Sequence, residues 1–224
     1  RLIEKYEMPV LGYTPEHNAY PYNYMIGSEA QRRDAVDYLK LSLEMAKEMG
    51  AEFVLTSPAN GGYLATYDQL WGRLEKNIQE LGDYAAKLEI KLVVEALTPY
   101  ESNFFTRAND LVELFRRVDN PYVVGMCDIV PPFVQHESIM AYFDKLGNKM
   151  DHMHIIDGEN GSDTHMIPGE GNIPIKEMLY EMKRIGYDKT ATLELVTNYI
   201  NEPRFYAKRA IDNMRELMAE AGIV

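Results

Sequence analysis

Apolar residues gather along the chain in short runs, separated by longer stretches with helical spacing. The first run, Pro9-Val10-Leu11-Gly12-Tyr13-Thr14, precedes a predicted helix from about Ser28 to Met49, in which Val36, Leu39, Leu43 and Ala46 share one face and Gly50 ends the helix. Strand Phe53-Val54-Leu55-Thr56 then leads to a helix over about Tyr67 to Leu88, and strand Leu92-Val93-Val94-Glu95 to one over about Asn109 to Val118. Val123 to Asp128 is followed by a helix around Ser138 to Leu146, and His152 to Ile156 by one from about Ile175 to Ile185. The last pair is Ala191 to Val196 and a helix over about Arg204 to Ala221, which makes six strand-then-helix units. Parallel strands need crossovers, and a helix is the usual crossover, so this alternation predicts a parallel α/β sheet. An open doubly wound sheet would carry a glycine-rich phosphate turn after an early strand, and Gly61-Gly62 lacks the G-x-G-x-x-G spacing. A (β/α)8 TIM barrel instead places its chemistry at the C-terminal ends of many strands.

Ligand-type residues do close four successive strand runs. Glu95 follows Leu92-Val93-Val94, Asp128 follows Val123 to Cys127, His154 closes Asp151-His152-Met153-His154, and Glu194 interrupts Thr192-Leu193-Glu194-Leu195-Val196. A carboxylate within an apolar strand is costly unless it is paired or coordinates a metal. On adjacent strands of a barrel these side chains converge into three oxygen-type ligands and one nitrogen. That set favours one divalent metal ion, Mn2+ first, with Mg2+ or Co2+ as substitutes, over a thiolate zinc site. His152 points to the same side as His154 and is read as a hydrogen-bonded core histidine. Cys127 is read as a small buried apolar residue.

Composition narrows the picture further. The 224 residues carry 35 acidic against 23 basic side chains, a formal charge of −12, which excludes the basic footprint of a phosphate-backbone binder. No apolar run approaches the roughly 18 residues that cross a bilayer, and the single cysteine fits a reducing, cytoplasmic compartment. A complete barrel takes about 250 residues. Residues 1–224 are therefore expected to form a single TIM-barrel domain with about six of its eight βα units. The opening Arg1-Leu2-Ile3-Glu4-Lys5-Tyr6, with no initiator Met, reads as the last turns of a helix, so the first two units are expected to precede it.

The runs Val94-Glu95-Ala96-Leu97-Thr98-Pro99-Tyr100-Glu101, Cys127-Asp128-Ile129, His152-Met153-His154-Ile155, Pro168-Gly169-Glu170-Gly171 and Leu193-Glu194-Leu195-Val196 occur in that order. Together they resemble the xylose isomerase-like TIM-barrel sugar isomerases and epimerases, and within them the ketose 3-epimerase group. The stretch from Gly12 to Asn23 is most similar to the fructoselysine 3-epimerase branch. The resemblance implies metal ligands at Glu95, Asp128, His154 and Glu194, and substrate contact at Glu101. Two positions depart from the group's pattern. Pro131 stands where some members have a His, and His165 is the nearest candidate for an Arg that precedes Pro-Gly-Glu-Gly. Both point away from a free simple ketose, and His165 is taken as a substrate-binding residue.

The ligand set itself suggests a chemistry. A divalent cation polarises a ketose carbonyl and stabilises the enediolate left when the neighbouring carbon loses its proton. Glu95 and Glu194 are the candidate acid/base pair, one for each face of that plane, and which of them deprotonates depends on the starting epimer. The expected substrate is a small sugar or sugar-amine of the fructoselysine/psicoselysine type. Tyr20, Tyr22 and Tyr24 offer either an apolar wall or cation-π surface for its ammonium group, or packing in a subunit interface of the expected homo-oligomer or over the barrel mouth, and Trp71 and Phe104-Phe105 carry the same readings. Aldose-ketose isomerisation and sugar dehydration are rivals on the same ligands. An endonuclease acting on abasic DNA would call for more than five histidines and a basic groove.

Overall fold

The computed structural model describes residues 2–17, 21–159 and 161–223. Among them six strands alternate with helices: β1 (Gly12–Tyr13), β2 (Phe53–Thr56), β3 (Lys91–Val94), β4 (Val123–Asp128), β5 (Met150–Ile155) and β6 (Thr190–Leu193). The helices are α1 (Leu2–Tyr6), α2 (Glu29–Met49), α3 (Tyr67–Leu88), α4 (Ala108–Arg117), α5 (Val130–Val134), α6 (Met140–Leu146), α7 (Ile175–Ile185) and α8 (Pro203–Glu220). The chain divides into two compact units, Arg1–Gly125 and Met126–Val224. None of the helices is long and apolar enough to cross a membrane.

In the first unit neighbouring strands follow chain order and run parallel. Gly12 faces Phe53, Val54 faces Leu92, and Leu92 faces Val123. β1 is shorter than its apolar run suggested, with only Gly12 and Tyr13 paired to β2. β2 and β3 are buried almost throughout, as parallel strands covered on both faces must be. α2 turns the expected face inward, burying Ala35, Val36, Leu39, Leu43 and Ala46, and α3 buries Leu70, Trp71, Leu74, Ile78, Leu81 and Ala85. Both helices start with the same reciprocal capping box, Ser28 with Gln31 and Thr66 with Gln69, which satisfies two otherwise orphaned backbone donors in each.

The outer faces of α2 and α3 are joined by ions. Glu80 accepts from Arg33 at 2.8 Å and from Lys40 at 2.6 Å. The Arg33 hydrogen bond, against some opposition from burial and with help from Lys40, holds the Glu80 carboxyl down at about 2. Because that folded value lies below the ordinary 4.5, the stabilisation is complete above pH 4.5 and fades as pH falls toward 2. Glu80→Gln is expected to cost about 1 kcal/mol at neutral pH, an upper figure for a half-exposed pair. Melting curves followed by circular dichroism should show the gap between variant and wild type closing as pH falls. A gap that stays constant to pH 2 would show that the ion pairs are not its source.

In the second unit β5 and β6 are parallel, with His152 opposite Thr190 and His154 opposite Thr192. α7 packs Ile175, Met178, Leu179 and Met182 inward, and α8 packs Ala210 and Met214, so Met178 and Met182 are core residues. One helix is added here and one expectation corrected. The helix expected around Ser138 to Leu146 is present as α6, and it is preceded by a short helix that was not expected, α5, whose Pro131-Pro132 lies in the first turn. Proline fits there because the N–H it lacks has no partner within the helix. The last strand ends at Leu193, so Glu194 stands just past the strand and not within it.

The aromatic residues are mostly structural. Tyr24 is 1% exposed and donates its hydroxyl to Ser57 O at 2.7 Å, which removes it from a substrate-facing wall. Tyr22 stacks on Tyr38 with ring centroids 4.1 Å apart, while Tyr20 lies outside the described residues. Trp71, Phe104 and Phe105 are buried against one another, with the Arg117 guanidinium 4.8 Å from the Trp71 ring centre.

Candidate metal centre

Each strand end contributes through its own geometry. In the first unit Glu95 follows β3 directly, is buried, and donates its backbone N–H to Thr56 O at 2.9 Å. Glu101, six residues on, is exposed and accepts from the Thr98 backbone N–H at 3.2 Å and hydroxyl at 2.9 Å. Its carboxylate therefore closes a turn in the loop after β3.

The second unit gathers the remaining candidates. Asp128 ends β4, and its Oδ1 accepts from Val130 N at 2.8 Å, so the carboxylate starts α5 while Oδ2 lies 3.7 Å from His165 Nε2. On β5 the strand period sends His152 and His154 to one side, their rings 5.5 Å apart and nearly perpendicular. His152 shares hydrogen bonds with the Thr190 and Thr192 hydroxyls at 2.7 and 3.1 Å. Burial, with the neighbouring His154 adding to it, lowers His152 to about 4, so this ring is neutral, as its reading as a core histidine requires. Thr190, Thr192 and Glu194 continue the same period, so Glu194 emerges on the side of His154 although the strand has ended.

There Glu194 Oε2 lies 3.1 Å from His154 Nδ1 and 3.2 Å from His165 Nε2. Asp128 and His154 are buried, His165 nearly so, and Glu194 is about one third exposed at 35%, which leaves the cluster a face toward solvent. Burial alone would favour a neutral His165, but the carboxylates of Asp128 and Glu194 outweigh it and push the ring up to about 10. Burial likewise opposes a charge on Glu194, but the His154 and His165 imidazoles prevail and hold its carboxyl well below the usual range.

Asp128, His165 and Glu194 each present one ligand atom, all within 4.8 Å of one another. Two carboxylate oxygens and an imidazole nitrogen, with a second imidazole 3.1 Å from the same Glu194 oxygen, make a hard, oxygen-rich donor set that fits a divalent cation. A cation among these atoms would neutralise the same carboxylates that a protonated His165 neutralises, so binding would release that proton. Asp128, His154, Glu194 and His165 are thus brought together within one unit. Asp163, whose Oδ1 lies 3.7 Å from His165 Nδ1, adjoins them without having been singled out in the sequence. Its signal was its spacing, two residues before His165 on the same loop.

Comparison with known proteins bears on the whole chain. Residues 1–217 match the family model described as xylose isomerase-like TIM barrel. The fructoselysine 3-epimerase of Shigella flexneri is 48% identical over 219 residues, which span 98% of this chain and 79% of that protein. Among solved structures, the 3-keto-D-glucoside 4-epimerase YcjR from E. coli superposes with a TM-score of 0.80 at 14% identity, covering 97% of this chain and 81% of its own. The IOLI protein, solved with a bound zinc atom, superposes at 0.77 with 18% identity, covering 98% and 80%. This chain is an isomerase of the sugar-epimerase type and belongs to the xylose isomerase-like TIM barrel family.

Proposed function

We propose that the protein is a divalent-metal-dependent 3-epimerase of a ketose or ketose-amine of the fructoselysine/psicoselysine type. The observation that carries this reading is the convergence of Asp128, His154, His165 and Glu194 at the strand ends of the second unit. The 48% identity to an enzyme named fructoselysine 3-epimerase supports the substrate class. Glu95, Asp128, His154 and Glu194 are the proposed ligands, and Mn2+ is the metal best matched to two Glu, one Asp and one His. When bound, the cation supplies positive charge that polarises the substrate's carbonyl and steadies the charge that develops on its oxygen.

The remaining chemistry belongs to side chains. Glu194, held ionised by its imidazole neighbours, is in the form that accepts a proton. One glutamate removes the C3 proton, the C–H electron pair becomes the C2–C3 double bond, and the carbonyl electrons move onto O2. Reversal of that electron flow, with a proton delivered to the other face of C3 by the second glutamate, yields the epimer. Glu95 is assigned that second role. Glu101 and His165 are assigned to the polar groups of the substrate, and the acidic surroundings of His165 suit a cationic amine better than a phosphate.

The reaction is tested by NMR of fructoselysine incubated with the enzyme in deuterated water. Deuterium appearing at C3 only, together with psicoselysine, is the expected result. Deuterium at C1 would identify an aldose-ketose isomerase, and loss of a hydroxyl a dehydratase. A homo-oligomer in the cytoplasm is the proposed setting, supported by the fully exposed Tyr63 and Leu64 on the loop after β2 and by the lone buried Cys127.

A further inference from the structure

Asp157 is 1% exposed and lies two residues past the end of β5, where the chain leaves the strand for the loop that carries His165. Its backbone forms an antiparallel bridge with Met166, each N–H donating to the other's carbonyl at 2.8 Å. Its carboxylate accepts from three backbone donors of the same loop: Oδ1 from Gly158 at 2.8 Å and Ile173 at 2.9 Å, and Oδ2 from Gly169 at 2.9 Å. Gly158, Gly169 and Ile173 are thereby gathered around one buried carboxylate.

The Pro168-Gly169-Glu170-Gly171 run acquires a physical reason from this arrangement. Gly169 adopts φ +86°, a left-handed conformation natural to glycine, and so aims its N–H at Oδ2. A Cβ on Gly171 would stand 2.5 Å from Asp157 Oδ1 and 2.5 Å from Gly158 O, so the packing leaves room for a hydrogen only.

We infer that Asp157 is the positioning residue of the site, fixing through its carboxylate the place at which His165 meets Asp128 and Glu194. His165 immediately precedes Met166, both of whose backbone hydrogen-bonding groups are bound to Asp157. Ile167 next along donates to the Tyr199 hydroxyl at 3.0 Å, so the ring of His165 hangs from a segment fixed on both strands of a small hairpin. The inference rests on reading the Asp128, His165 and Glu194 cluster as the metal and substrate site.

A double-mutant cycle of Asp157→Asn with His165→Ala tests it, read on kcat and on the Kd for Mn2+ measured by calorimetry. An asparagine cannot accept at both side-chain positions, so at least one loop hydrogen bond is lost. In the wild-type background Asp157→Asn is expected to lower kcat and weaken Mn2+ binding by about 10- to 100-fold. In the His165→Ala background its further effect should be within about twofold. Equal losses in both backgrounds would overturn the inference, because Asp157 would then act independently of His165. Gly171→Ala, which presses on the same carboxylate, should reproduce the coupling. Loss of folding in both loop variants, seen by circular dichroism, would assign Asp157 to folding and overturn the positioning role. A wild-type protein without epimerase turnover would count against the functional reading alone, since the Mn2+ cycle still decides; one that takes up no Mn2+ overturns both.

Discussion

Glu194→Gln is expected to lower kcat for epimerisation by about a thousandfold or more, near the upper end of what a single acid/base group contributes. Glutamine keeps the volume and one carbonyl oxygen but cannot take up a proton at neutral pH. It also takes away the charge that His154 and His165 face at 3.1 and 3.2 Å. Those two consequences separate experimentally. If Glu194 serves mainly as acid/base, the variant incubated with one epimer in deuterated water should still exchange the C3 hydrogen through the other glutamate, without inversion. If its role is confined to holding the cation, exchange and inversion fall together and extra Mn2+ restores both. A variant with kcat within tenfold of wild type would remove Glu194 from the chemistry.

Chelation is the second large effect. Dialysis against EDTA should reduce turnover to background, and Mn2+ added back should restore it, with Mg2+ and Co2+ restoring less. The same titration should move the melting temperature, because a ligand that binds only the folded chain stabilises it by about 2.7 kcal/mol at a hundredfold excess over Kd. Asp128→Ala should abolish both responses. Full turnover in protein shown by elemental analysis to hold no divalent ion would refute the metal requirement.

These expectations draw on what a reader of residues can and cannot see. Strands β2 to β4 were legible because fully buried parallel strands are written as nearly continuous apolar runs, and α2, α3 and α7 because their buried faces keep the helical period. The end of β6 was not, since Leu195-Val196 prolongs the apolar pattern beyond the point where pairing stops at Leu193. α5 was hidden by Pro131-Pro132, which reads as a breaker unless the first turn of a helix is considered. Tyr24 looked like a loop aromatic until its hydroxyl found Ser57 O in the core. Of the site, Asp128, His154 and Glu194 stood out as polar residues closing apolar strands, and His165 was picked up only by its position before Pro168. Asp157 was overlooked for a plain reason. Its partners are backbone amides, which no side-chain pattern records.

The segment around Gly169 that Asp157 gathers is also fastened from outside. Asn213 on α8 donates to Pro168 O at 3.0 Å, and Arg209 on the same helix pairs with Glu170 at 2.5 Å. The amides of Gly169 and Ile173 are protected by a carboxylate that stays in place while the loop stays closed, and the loop is tied to α8 at two points. Opening of the loop is therefore expected to require release of both contacts to α8. Loosening α8 is therefore expected to loosen the segment from which His165 extends, three residues before Pro168.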